Sequence, residues 1–435
     1  MIKIKGIGIP HNKNTAKHIP ELIPTPPEVR LPMSMHYGVP AKPVVAVGDL
    51  VKVGQLVGEA VTEEDVSSPV HASVSGKVKS IDEFDPLTGE KMLSIVISSD
   101  GEQAVCEDLS PPVITNVAEF LDAVQNSGVV GLGGAGYPTA PKLSPKEGVK
   151  LDYLLINAVE CEPYATADAR TMLDNTEDVF EGAALLMKYI KPKQVIICIG
   201  ENNPEAIKKL KTLTASVEGI SLRCIPSKYP QGEKKVLVYN ITGRIVPEDG
   251  RLTDVGCAVV NCTTVSVFAK YIKTGTPYSH RIVTVDGSGV KNPKNLIVPI
   301  GTAIKYLFDY CGGLTDDATK IIMGGPMAGK AVPSLDMPLT KAVSTVIALN
   351  EKDSEPPAES ACIRCGRCIS ECPMSLMPSF IEDAFEQKDT DMLDKLKANL
   401  CVECGCCAYL CPAKRPLAQV MTLSKNMQWE TREKC

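Results

Sequence analysis

The sequence predicts a multidomain α/β protein that ends in a small helical domain held together through cysteine. Three observations carry this reading. The 435 residues suffice for roughly three domains with separate cores. The hydrophobic pattern runs from short alternating stretches, to apolar strands between amphipathic helices, and back to strands. Ten of the 17 cysteines fall after residue 360. Apolar content of 44% and a formal charge of -6 describe an ordinary soluble surface, without the basic excess that nucleic acid demands. No apolar run approaches the ~18 residues of a membrane span. No leader-like segment opens the chain, so thiols kept reduced in a cytosol are expected.

Residues 1–110 are rich in Val, Pro and Gly, with alternating runs such as Lys42 to Val47 and Gly76 to Ile81, and read as all-β. Val47-Gly48-Asp49, Val51, Gly54-Gln55, Pro69 to Ala72 and Gly76 to Val78 resemble the barrel-sandwich hammerhead of biotinyl and lipoyl carriers. Those carriers attach their cofactor to a lysine at the hairpin tip. The corresponding stretch, Glu59 to Ser68, has none, so a docking or scaffold role is expected. His71 reads as a hydrogen-bonded turn histidine rather than a metal ligand.

Residues 111–278 read as a Rossmann-like α/β domain: a helix from Phe120 to Ser127 stopped by Gly128, strands at Leu154 to Asn157 and Val195 to Gly200, and helices at Val179 to Ile190 and Pro204 to Leu213. Residues 279–350 suggest a β-grasp unit, with strands Arg281 to Asp286 and Leu296 to Pro299 and a helix from Thr302 to Tyr310. Glu351 to Glu359 reads as a charged linker. In the final block, 351–435, Met377 to Phe385 and Asp391 to Leu400 read as helices.

The chemistry lies in three motifs. Cys362-x2-Cys365-x2-Cys368-x3-Cys372-Pro373 recurs as Cys401-x2-Cys404-x2-Cys407-x3-Cys411-Pro412, the two-cluster ferredoxin signature. In that pattern three cysteines of one run and the last of the other bind each 4Fe-4S cluster. Cys362, Cys365, Cys368 and Cys411 form one set, and Cys401, Cys404, Cys407 and Cys372 the other. Zinc knuckles lack the third cysteine at x2 and the fourth at x3. The second motif, Gly131-Leu132-Gly133-Gly134-Ala135-Gly136-Tyr137-Pro138, satisfies G-x-G-x-x-G, although an upstream helix and two following prolines also suit a plain glycine turn. The third, Asn157 to Tyr164, sets Glu160 and Glu162 at a strand end, where open α/β sheets bind ligands.

Gly131 to Thr139 with Lys142, Asn157 to Pro163, Tyr229 to Glu233 and Asn261 to Thr264 resemble the segments that hold FMN and NADH in the flavoprotein subunit of respiratory complex I. With a hammerhead in front, a β-grasp (SLBB-like) unit at Ile282 to Gly313 and two clusters behind, the chain is similar over almost its whole length to the C subunits of Rnf complexes, the membrane ferredoxin:NAD oxidoreductases. The resemblance implies that Gly131, Gly133, Gly134 and Gly136 form a loop shared by flavin and nucleotide. It implies that Lys142, Asn157, Glu160, Tyr229, Gly232, Glu233, Asn261 and Thr264 line the FMN pocket, and that Tyr137 and Glu162 face the nicotinamide nucleotide. Val159 and Lys234 stand where complex I flavoproteins carry acids. The opening Gly6-Ile7-Gly8-Ile9-Pro10 differs from the Gly-Gly-Ile-His-Pro of the Rnf subunits, and the Ala/Lys-rich tail of some members is absent. The implied function is exchange of a hydride between NAD(H) and FMN and relay of single electrons, coupled through integral-membrane and ferredoxin-like partner subunits to Na+ or H+ translocation. The implied place is the cytoplasmic face of the cell membrane, with ferredoxin reached indirectly. A soluble relative, such as a cobalamin reductase or a proline-reductase electron carrier, and a flavin-free iron–sulfur adaptor are the alternatives.

Overall fold

The computed structural model describes residues 6–61, 65–85, 91–144, 148–215 and 217–433. In the N-terminal domain, strands Glu28–Pro32, Met92–Ser99, Gly76–Phe84 and Leu50–Val51 form one antiparallel sheet in that order. Lys42–Pro43, Leu56–Glu59 and Val70–His71 form a second. Val29 pairs with Ile97 and Leu31 with Ile95, and all four are buried, so the alternation of each strand fills the space between the sheets. The run from Lys42 is a strand for two residues only, because the chain then turns through Gly48 at φ +100°. His71 is no turn residue: it lies in a strand paired with Leu56, with its ring buried beside Gly128. Within the hairpin stretch 59–68, residues 62–64 lie outside the described residues.

The α/β domain has a four-stranded parallel sheet in the order Ile220–Ile225, Gln194–Gly200, Tyr153–Ala158, Cys257–Asn261. Leu154, Leu155, Ile156, Ile197 and Ile199 are fully buried, as expected for strands covered on both faces. The helices Thr176–Tyr189 and Pro204–Thr214 fall within a few residues of the predicted spans. Successive strands are laid down to one side of Tyr153–Ala158, and the last is placed on its other side, which creates a topological switch point there.

The β-grasp sheet is six-stranded and mixed, ordered Glu21–Leu22, Lys294–Pro299, His280–Asp286, Thr345–Asn350, Ala318–Met323, Lys330–Ala331, with helix Ile304–Tyr310 on its core. Its first strand comes from the N-terminal segment. Residues 6–23 run as a strap against the α/β and β-grasp domains, with Ile7 bridging to Tyr229 and Thr15 meeting Thr166.

The C-terminal domain packs helices Pro378–Glu386, Thr390–Lys395 and Leu417–Glu433 around Leu376, Ile381, Leu393 and Met421. The helix expected to reach Leu400 stops at Lys395, because Lys397 adopts φ +58°, and a 3-10 turn follows. The linker begins with a helical turn, Glu351–Ser354. Its far end is tied down by Arg415, which pairs with Glu359, Glu382 and Glu386.

Candidate functional site

At the switch point, Asn157 and Asn261 lie in register at the C-terminal ends of neighbouring strands. Asn157 Nδ2 donates to the Gly232 carbonyl at 2.9 Å, and its Oδ1 accepts from Val159 N–H at 3.0 Å. One side chain thus joins the strand end to the Tyr229–Glu233 segment. Asn261 caps helix Cys262–Thr274, accepting from Thr264 N–H at 3.2 Å, and donates to Asp168 at 2.6 Å. Glu233 caps helix Lys234–Thr242 through the N–H groups of Lys235 and Val236. The partial positive ends of two helices consequently border the same crevice.

The glycine loop is held from behind. Thr264 Oγ1 accepts from Leu132 N–H and donates to the Val130 carbonyl, each at 3.0 Å. Gly131 N–H donates to the Tyr137 carbonyl at 2.8 Å, and Gly136 N–H to the Gly131 carbonyl at 3.0 Å. The buried Arg281 of the β-grasp domain donates to the Leu132 carbonyl at 2.8 Å. Gly134 and Gly136 have φ of +97° and +61°, which suits glycine. Burial and the charge of Lys234 bring the Lys142 ammonium down to about 8.

In the acid loop, Glu160 accepts from the N–H groups of Asp168 at 2.9 Å and Ala169 at 3.3 Å. Glu162 accepts from Met327 at 2.6 Å and Ala328 at 3.2 Å. Burial raises the carboxyls of Glu160, Glu162 and Glu233 above their ordinary range.

These segments line one wide pocket that opens to solvent. Of the residues expected from sequence, Gly133, Gly134, Asn157, Glu160, Glu162, Tyr229, Gly232, Glu233 and Asn261 line it. Gly131, Gly136, Tyr137, Lys142 and Thr264 are not among the residues that line it; the Tyr137 ring stacks on Tyr37 with centroids 5.5 Å apart. The β-grasp run Met323-Gly324-Gly325 and residues 328–333, which the sequence reading missed, form the opposite wall. A second glycine-rich run at a strand end was the available signal. Val402 and Cys404 of the cluster domain complete the lining.

A second, small cavity is lined by Cys372, Cys401, Cys404 and Cys407, the set that the crossed pairing groups together, and by Cys406, which lies outside that set. Cys372 Sγ accepts from Leu376 N–H, and Cys401 Sγ from Glu403 N–H, both at 3.3 Å. The other run repeats the same backbone. Arg364, Gly366 and Ser375 have positive φ, as do Glu403, Gly405 and Lys414 at matching positions. Ser360 N–H donates to the Ala413 carbonyl at 3.0 Å, which draws the start of the first run to the end of the second, where Cys411 lies.

The chain fits the groups that these motifs imply. A Cβ on Gly232 would lie 2.4 Å from the Val159 carbonyl oxygen, and one on Gly133 3.2 Å from Asn261 Nδ2, while Gly134 faces open space. This leaves backbone alone along one side of the pocket, as close approach to a flavin nucleotide requires. Four cysteine sulfurs around a cavity suit a 4Fe-4S cluster.

Residues 124–269 match the Nuo51 FMN-binding domain, 282–331 the SLBB domain, 361–414 the 4Fe-4S dicluster domain and 3–102 the RnfC barrel sandwich hybrid domain. Over 395 residues the chain is 40% identical to the C subunit of the proton-translocating ferredoxin:NAD(+) oxidoreductase complex of Clostridium ljungdahlii, covering 89% of this chain and 85% of that one. The chain belongs to the RnfC family. Two further RnfC relatives are the C subunit of the Na(+)-translocating ferredoxin:NAD(+) oxidoreductase complex of Acetobacterium woodii, 36% identical over 91% of this chain and 89% of that one, and the C subunit of the ion-translocating oxidoreductase complex of Rhodobacter capsulatus, 34% identical over 85% and 72%. Among solved structures, an NAD+-reducing [NiFe]-hydrogenase in the H2-reduced state shares the fold at a TM-score of 0.50 and 18% identity, over 72% of this chain and 62% of that chain.

Proposed function

We propose that this RnfC-family chain is the NAD(H)-side electron-transfer subunit of an ion-translocating ferredoxin:NAD oxidoreductase complex. The observation that carries the reading is a single pocket walled by the glycine loop, the strand-end acids and the cluster-domain residue Cys404. When bound, FMN exchanges a hydride with NAD(H) and passes electrons on singly, and the two 4Fe-4S clusters carry one electron each.

The chain's own contribution is placement and exclusion of water. Gly133, Gly134 and Gly232 would leave room for the flavin nucleotide, with Asn157, Glu160, Glu233 and Asn261 as its polar contacts. Tyr229 is buried, lines the pocket and packs with Ile7, Ile9 and Cys404, so its ring joins the pocket wall to the cluster domain. Cys404 lines both spaces, which supports Cys372, Cys401, Cys404 and Cys407 as the set nearer the pocket, with Cys362, Cys365, Cys368 and Cys411 beyond it.

Among the described residues no helix is long and apolar enough to cross a membrane. Ion translocation therefore falls to integral-membrane partner subunits in this reading, with ferredoxin reached indirectly and the chain peripheral on the cytoplasmic face. Val47 and Leu50 are exposed on the hammerhead, which supports docking there. The test is flavin and iron analysis of anaerobically purified chain together with NADH-dependent bleaching of its visible spectrum. Bound FMN with bleaching supports the proposal. An iron-loaded chain that neither holds FMN nor bleaches with NADH overturns it.

A further inference from the structure

The N-terminal strap grips the acid loop of the pocket through the side chain of Lys13. Lys13 Nζ donates to the carbonyls of Glu160 at 3.1 Å, Glu162 at 2.9 Å and Ala165, and stands 3.8 Å from Glu160 Oε2. Its side chain is 13% exposed and that of Glu160 6%, so water contributes little to either. Around it the strap is woven in: Ile7 pairs with Tyr229, the His11 carbonyl accepts from Tyr164 N–H at 2.8 Å, and Thr15 Oγ1 lies 2.6 Å from Thr166 Oγ1. Tyr164 has φ +66°, a costly conformation for a tyrosine, and lies within the turn that Lys13 ties at both ends.

We infer that Lys13 is a positioning residue of the flavin pocket, holding the loop from Glu160 to Ala165 closed and Glu160 ionised. The inference rests on the proposed flavin site and adds to it a segment far away in sequence. Three carbonyls converging on one ammonium satisfy all its donors, a built cation seat rather than a surface contact. Without the cation, Glu160 is a buried carboxylate that can recover only by taking up a proton. Protonation weakens its hold on the N–H groups of Asp168 and Ala169, and the loop loses its anchor to helix Ala167–Asp174. The other charged or titratable groups facing Glu160 are Asp168 and Cys262, with Glu162, Glu233 and Lys330 elsewhere around the pocket. Among the described residues, Lys13 is the one cation paired with it.

The test uses the full-length holoprotein as wild type, Lys13→Met and Lys13→Arg, with bound FMN followed by the fluorescence of released flavin between pH 5.5 and 8.5. Iron content and reduction by dithionite check the fold. Lys13→Met should hold FMN about tenfold more weakly at pH 6 than at pH 8, the loss expected when one carboxyl takes up a proton across that range, and the fall should be smaller in the wild type. Lys13→Arg, which keeps the charge, should move back toward wild type. A Lys13→Met protein whose flavin retention follows the wild-type pH curve overturns the inference, as does one that weakens equally at every pH with no recovery in Lys13→Arg. A wild type that binds no FMN overturns instead the reading of the pocket. Should Lys13→Met fail to fold, Lys13→Gln, which retains two donors without charge, decides by the same curves.

Discussion

The carboxylate of Glu162 accepts the backbone N–H of Met327 at 2.6 Å, and this bond fastens the β-grasp domain to the acid loop of the α/β domain. The same turn continues to the cluster domain, since the Met327 carbonyl lies 3.0 Å from where a Cβ on Gly405 would stand. Pocket and cluster-domain loop are thus held against one short glycine-rich turn.

Releasing that turn should uncouple the two. Glu162→Ala removes the acceptor of two backbone N–H groups, one half-buried and one exposed, a loss of about 1 kcal/mol. Cluster reduction by NADH, followed by stopped flow, should slow about tenfold while flavin content stays near wild type. Gly325→Ala should behave alike, because its Cβ would lie 1.8 Å from Glu162 Cγ.

Gly133→Val places side-chain atoms between the glycine loop and Asn261, into the pocket. Flavin binding and NADH:ferricyanide activity should be lost, while dithionite still reduces the clusters. Wild-type activity in a folded variant would remove the glycine loop from the site.

Two complete cysteine sets should give about eight iron and eight sulfide per chain by chemical analysis. Cys404→Ser should lose the set beside the pocket and with it NADH-dependent cluster reduction. Cys406 lies outside the signature, yet it is 1% exposed and packs with Ile7, Ile9 and Tyr229. Cys406→Ser should keep its iron but lower the thermal midpoint, because a buried hydroxyl costs about 1–3 kcal/mol.

Burial holds His36 down at about 4 and His71 at about 3, with the Lys341 charge a smaller contribution in the same direction. Both rings stay neutral in the folded chain while the unfolded chain binds protons below about pH 6.5, so stability falls as pH drops below that value. Each ring contributes a slope of about 1.4 kcal/mol per pH unit until its folded value is reached. His71→Gln should flatten the fall of the thermal midpoint between pH 6.5 and 4, measured by calorimetry at matched iron content.

Much of this was legible in sequence because local spacing sets it. The cysteine runs place their ligands by helix stops and turns within a dozen residues. The parallel strands declare themselves as apolar runs, and Asn157, Glu233 and Asn261 stand where strands end and helices start. The resemblance to flavin-binding segments picked out nine residues that line one pocket. What depends on distance along the chain could not be read this way. No motif or periodicity marks Lys13; only the fold places its ammonium among three carbonyls of residues 160–165. Glu162 was expected to face the nicotinamide nucleotide, and its partnership with Met327, 165 residues away, arises only when the β-grasp sheet docks. The proximity of Cys404 to the pocket is likewise a product of domain packing. Periodicity and motif spacing report contacts within one element or one turn, whereas buried polar partners are chosen when separate surfaces close on each other and each donor must find an acceptor.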